Sequence, residues 1–195
     1  LRTDYRAAGE DAALLAKAFT NAEAARITTP AGTDLFMALA GRTGNFCPGW
    51  VSPEITLGSP PDIEANIAPE EDLSEGLAVI DASIPFRGLG RLKDPVYLTI
   101  RRGRISHIDG DRSVVRTLEE LFSARGPRAR VLAELGVGFN RAAEVCGSML
   151  IDEGAHGTFH IGFGSNSTVG GRNTVGFHLD FVLYAGELAL DGVPW

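Results

Sequence analysis

The chain predicts an α+β fold built on a largely antiparallel or mixed sheet. Three observations carry that prediction. The segments run helix, several strands, helix, strands, without the regular alternation of a parallel βαβ layout. Residues 95–111 and 186–192 read as tight hairpins, which join antiparallel strands. The glycine-rich GTFHIGFGSNSTVGG (157–171) lacks the GxGxxG or GxxxxGK form that leads from a strand into a nucleotide-binding helix.

Residues 4–25 are alanine-rich and free of proline, and Leu14, Leu15, Ala18, Phe19 and Ala22 recur at helical spacing, which predicts a helix. ARITTP (25–30) and LFMALAG (35–41) read as strands around the turn AGTD. Residues 42–63 are rich in Gly, Pro and Ser and read as loop, with a short strand at EITLG (54–58). GLAVIDASIPF (76–86) reads as one strand, and 95–111 as a hairpin turning near Arg102-Gly103. SVVRTLEELFSA (113–124) is an amphipathic helix. RVLAELGVGFN (130–140) fits either a helix end or a glycine-interrupted strand, and 141–153 reads as helix. GTFHIGFG and GFHLDFVLY are strands, and GELALDG closes the chain as a hairpin.

The 195 residues suit a single domain with a real core. The net charge is −7 and no basic cluster is longer than Arg101-Arg102-Gly103-Arg104, which argues against a nucleic-acid partner. No apolar run approaches the roughly 20 residues of a membrane helix. Cys47 and Cys146 lie far apart, as two reduced thiols of a cytoplasmic protein would. The chain opens without Met, and the expectation is that residues 1–195 form a single domain from the C-terminal part of a longer protein.

Three of the four histidines lie in the last 40 residues. In a strand, His178 and Asp180 share one face while Phe177, Leu179 and Phe181 take the other. His160 alternates with Phe159 and Ile161 in the same manner. Imidazole and carboxylate suit zinc, manganese, cobalt or ferrous iron. There is no GxSxG elbow, so serine nucleophile chemistry is poorly supported. His107 and His156 read as surface residues.

Five blocks resemble the aminopeptidase T and aminopeptidase S family of metallopeptidases, in the same order and over nearly the whole chain. They are GTDLFMALAGR (32–42), PDIEANIAPEEDLSEG (61–76), AELGVGFN (133–140), IDEGAHGTFHIGFG (151–164) and GGRNTVGFHLD (170–180). The 2,5-dihydroxypyridine 5,6-dioxygenases are similar to this same family. The resemblance implies a curved, partly barrel-like sheet with flanking helices and a metal site on its concave side. It implies five ligands for two divalent metals, zinc, cobalt or manganese: Glu64, Glu134, His160, His178 and Asp180. Glu64 and Glu134 are then the candidate catalytic carboxylates, with Asp180 or Glu64 expected to bridge the ions. The family's tyrosine, seven residues after the first histidine, falls here on Ser167, a much shorter hydroxyl. Asn166 and Ser167 become candidate substrate-binding groups, Asn166 as donor to an oxyanion.

The resemblance leads first to a metal-dependent aminopeptidase acting on a short peptide. The second reading is a ring-cleaving dioxygenase with one Fe(II) on His160, His178 and Asp180, acting on a small molecule. The third is a catalytically degenerate domain stapled by metal. Family likeness also implies a homodimer.

Overall fold

The computed structural model describes residues 3–53, 55 and 58–195. EITLG, the strand expected at 54–58, falls largely outside them. Helix α1, Tyr5–Asn21, is capped by the Asp4 carboxylate, which accepts from the backbone N–H groups of Arg6 and Ala7. It buries Ala8, Ala12, Leu15, Ala16 and Phe19. It ends earlier than its alanine content predicts, because the backbone turns extended at Ala22 and Ala24–Thr28 becomes strand β1.

The following strands are β2 Asp34–Ala38, β3 Asn45–Cys47, β4 Glu64–Ile67, β5 Glu75–Ile80, β6 Ser83–Ile84, β7 Gly90–Arg91, β8 Val96–Arg101 and β9 Arg104–Asp109. Helix α2, Arg112–Arg125, and a 3-10 turn at Pro127–Arg130 lead into β10, Leu132–Gly138. A single-turn helix α3, Met149–Asp152, precedes β11, Thr158–Gly164, and a 3-10 turn at Ser167–Val169 leads towards β12, His178–Tyr184. The chain closes on β13, Glu187–Leu190, and β14, Val193–Pro194.

Among the described residues these strands make two seven-stranded sheets. One runs β14-β13-β1-β2-β5-β8-β9 and the other β3-β4-β10-β11-β12-β6-β7. Every pairing between named strands is antiparallel, as the sequence predicts, and the sheet curls as a half-barrel with flanking helices, as the resemblance implies. A shared apolar core includes Ile27, Leu35 and Met37 from the first sheet and Ile67, Leu135, Phe163 and Phe181 from the second. Phe122 of α2 stacks on Phe181 at 6.4 Å between ring centroids.

Several local expectations are corrected. The strand expected at 76–86 breaks at Asp81-Ala82, so β5 joins the first sheet and β6 the second. Residues 42–63 include β3, which pairs with an unanticipated strand, β4. Residues 130–140 resolve to a strand. The helix expected over 141–153 shrinks to α3. Gly147 takes a φ of +93°, and the buried Asp152 carboxylate accepts from the N–H groups of Cys146 and Gly147, so side-chain hydrogen bonds replace a helical ladder there. Cys47 and Cys146 are both free thiols. No helix among the described residues is long and apolar enough to cross a membrane.

Candidate metal centre

Alternation along four neighbouring strands collects the polar residues. Glu64 and Asn66 of β4, Glu134 of β10, His160 of β11, and His178 and Asp180 of β12 lie on one face of the second sheet. Ala65, Leu135, Ile161 and Phe181 lie on the other and enter the core. Each of the five ligand candidates faces a glycine across a strand boundary. The pairs are Glu64–Gly138, Glu134–Gly162, His160–Gly136, Asp180–Gly162 and His178–Gly164. Without a Cβ on the partner, the longer side chain can fold over the neighbouring strand. A Cβ at Gly136 would stand 2.0 Å from His160 Nε2, and one at Gly162 would stand 2.7 Å from His178 Nε2.

The side chains converge. Glu64 Oε2 is 3.1 Å from His160 Nε2, and Glu134 Oε1 is 3.7 Å from the same atom. Glu134 Oε2 is 3.4 Å from His178 Nε2, and Asp180 Oδ1 is 3.0 Å from it. Two triads result, Glu64/Glu134/His160 and Glu134/His178/Asp180, each with its donor atoms within 4.8 Å of one another. Glu134 is the shared member and turns one oxygen to each imidazole. Asp180 and Glu64, the residues expected to bridge, each belong to one triad. His160 falls in one triad and His178 with Asp180 in the other.

The surroundings orient these groups. His178 Nδ1 is 2.7 Å from Ser165 O, which places the proton on Nδ1 and leaves Nε2 turned to the carboxylates. Asn66 Nδ2 donates to Glu64 Oε1 at 2.7 Å, and Asn45 Nδ2 donates to Asn66 Oδ1 at 3.2 Å. His160 Nδ1 and Glu64 Oε2 are buried without a hydrogen-bond partner.

Burial and charge act against each other here. Burial lowers the His178 pKa, but the hydrogen bond and charge of Asp180 outweigh it and carry the pKa up to about 9. Burial also opposes the charge on His160, while Glu64 and Glu134 raise its pKa well above the usual value. Burial raises Asp180, yet its hydrogen bond to His178 holds it below the usual carboxylate range. Burial pushes Glu134 up. Two further acids, the buried Asp62 and the half-buried Glu153, adjoin the cluster. Burial, with the neighbouring Glu64, pushes Asp62 up to about 8. Burial, with Asp180, pushes Glu153 up to about 10.

The residues fit a divalent cation. Oxygen and nitrogen donors bound to one small ion at 2.0–2.2 Å lie roughly 3–3.5 Å from each other, close to the spacings seen here. Glu64 Oε2 makes no well-aligned hydrogen bond and faces only the His160 ring, so it is a buried acceptor that a cation would satisfy.

Asn166 is fully buried. Its Nδ2 donates to Glu71 and its Oδ1 accepts from Asn173 N, so its amide is engaged in holding its own loop. Ser167 is exposed on the 3-10 turn, its Oγ 3.4 Å from Ser165 Oγ. His107 and His156 are exposed, as expected. Sequence reading missed Asn45, Asn66, Asp62 and Glu153 as neighbours of the cluster. Asp62 and Glu153 stand in the quoted motifs, but nothing in their spacing announces a buried carboxyl.

No curated protein matches the chain. Among solved structures, the 2,5-dihydroxypyridine dioxygenase of Pseudomonas putida KT2440 superposes with a TM-score of 0.83 at 22% identity, over 96% of this chain and 57% of that one. Wild-type AmpT of Thermus thermophilus superposes with a TM-score of 0.74 at 22% identity, over 98% and 52%. The chain therefore spans just over half the length of either structure, and at that identity the likeness is one of fold. The family model NicX, 2,5-dihydroxypyridine 5,6-dioxygenase, matches residues 5–195. With a family model running through every element of the fold and all five clustered residues, the chain belongs to the 2,5-dihydroxypyridine 5,6-dioxygenase family.

Proposed function

We propose that this chain carries the metal centre of a ring-opening dioxygenase that acts on a small dihydroxylated pyridine. The observation that carries this reading is the family match across residues 5–195, which places it ahead of the hydrolase that the motif resemblance favours. Glu64, Glu134, His160, His178 and Asp180 would hold the metal. Ferrous iron bound there supplies the one-electron chemistry through which molecular oxygen reacts with an aromatic ring. The chain's own residues do the rest. Ser165 O fixes the His178 tautomer, Asn66 aims Glu64, and Glu134 places negative charge between the two imidazoles. Asp62 and Glu153, whose pKa values burial raises, favour the protonated form beside the cluster. His178, with its side chain 32% exposed, marks the side open to substrate.

The test is oxygen consumption by the Fe(II)-loaded full-length protein with 2,5-dihydroxypyridine. The expected result is uptake of one O2 per ring opened, abolished by Glu134→Gln. Iron-loaded protein that consumes no oxygen with dihydroxypyridines would overturn the reading.

One observation favours a second reading. Glu134 turns an oxygen to each histidine, as a carboxylate bridging two cations would. A two-metal aminopeptidase predicts about two zinc, cobalt or manganese ions per chain and release of a chromophore from aminoacyl anilides.

A further inference from the structure

Residues 165–177, between β11 and β12, support the ligand cluster at both ends. Ser165 O accepts from His178 Nδ1 at 2.7 Å. Val169 O accepts from Asn45 Nδ2 at 3.2 Å, and that amide reaches Glu64 through Asn66. A single acidic residue, distant in sequence, ties this loop down. Glu71 Oε1 accepts from Asn166 Nδ2 at 3.1 Å and from Arg172 N at 2.6 Å. Its Oε2 accepts from Arg42 Nη2 at 2.5 Å, while Arg42 Nη1 donates to Gly170 O at 3.2 Å. The Arg42 and Glu71 side chains are only 9% and 18% exposed, so water competes weakly for these bonds. Asn166 Oδ1 passes the tether on to Asn173 N, and Asn173 Nδ2 donates to Gly164 O at the end of β11.

We infer that Glu71 is a positioning residue for the metal ligands: its carboxylate fixes the 165–173 loop, which fixes His178 directly and Glu64 through two asparagines. Glu71 touches neither ligand. The inference rests on the metal-site reading above.

Glu71→Gln isolates the role because the shape is kept. A carboxamide has one acceptor oxygen and one donor nitrogen. Whichever way it turns, its NH2 meets either the Arg42 guanidinium or the Asn166 and Arg172 donors. The loop loosens without a cavity being left.

The experiment is equilibrium dialysis of the full chain against Co(II), with thermal unfolding of the metal-free protein alongside. Thr33→Val is the control, since it breaks a buried hydrogen-bonded link to Val79 beside the first sheet. Both variants are expected to melt at lower temperature than wild type. Glu71→Gln alone is expected to bind Co(II) about tenfold or more weakly, the scale of outer-shell changes at metal sites. Wild-type Co(II) affinity in a folded Glu71→Gln chain overturns the inference. So does an equal loss in Thr33→Val, which would show affinity following stability. Should Glu71→Gln not fold, Arg42→Gln opens the same clasp from its other side, and unchanged affinity there is equally fatal. Wild-type protein that binds no Co(II) removes the metal-site reading itself, and the inference with it.

Discussion

Gly136→Ala is expected to remove the metal site while leaving the fold. Gly136 lies opposite His160 in the sheet, and the imidazole covers the space where a Cβ would be. That Cβ would stand 2.0 Å from both Cε1 and Nε2, against the 3.4 Å of ordinary contact, so the ring must retreat by about 1.4 Å. It has little room, being 1% exposed with Glu64 and Glu134 already within 3.1 and 3.7 Å. No hydrogen bond at Nδ1 guides it back. A metal–ligand distance tolerates only about 0.2 Å. Metal affinity should therefore fall by more than the roughly 10–100-fold of an outer-shell change. Overpacking should cost the metal-free chain about 1–3 kcal/mol. For a chain of this size that is a Tm lowered by roughly 2–12 °C. Dialysis against Co(II) reads the first effect and circular-dichroism melting the second. Gly162→Ala makes a useful comparison. Its Cβ would meet His178 at 2.7 Å and Asp180 Oδ1 at 2.9 Å; the His178 side chain is 32% exposed and can swing towards solvent, and the overlap with Asp180 is smaller than that at Gly136, so metal loss should come with a smaller change in Tm. A Gly136→Ala chain with wild-type metal affinity would refute the placement of His160.

Glu134→Gln should lower occupancy of both triads and Glu64→Gln of only one, measured as metal per chain; an ion kept at full occupancy in Glu134→Gln contradicts the shared role. The metal-free chain should lose stability as pH rises. With its folded pKa raised from 6.5 to about 9, His178 contributes fully below pH 6.5 and loses that contribution through pH 9. Asp62, raised from 3.8 to about 8, acts in the same direction because its protonated form is the one the fold favours. A Tm that is flat or rising between pH 6.5 and 9 would contradict this, and bound metal should flatten the slope. Phe181→Ala should cost about 3–5 kcal/mol in urea unfolding, since that ring is fully buried between Phe122 and Phe163; a loss under about 1 kcal/mol would mean the core is packed differently.

The periodic segments were readable in advance. Period-two alternation in 158–164 and 178–184 placed His160, His178 and Asp180 on strand faces, and the spacing of Leu15 and Phe19 marked α1. Reading failed where long-range pairing replaces local preference. No local pattern marks Glu64–Ile67 as a strand after the loop-like 42–63, yet it is held between β3 and β10. Residues 141–148 look helical by composition, yet the buried Asp152 carboxylate claims their backbone donors.

What the amino-acid order determined by itself is the fold class and the donor types, because alternation and side-chain chemistry are properties of neighbouring residues. Which carboxylate stands between the histidines was decided only in three dimensions. Glu134 came to stand in both triads through its register opposite Gly162, and Glu71 came to clasp a loop about 100 residues away, because both depend on which strands and turns pack together.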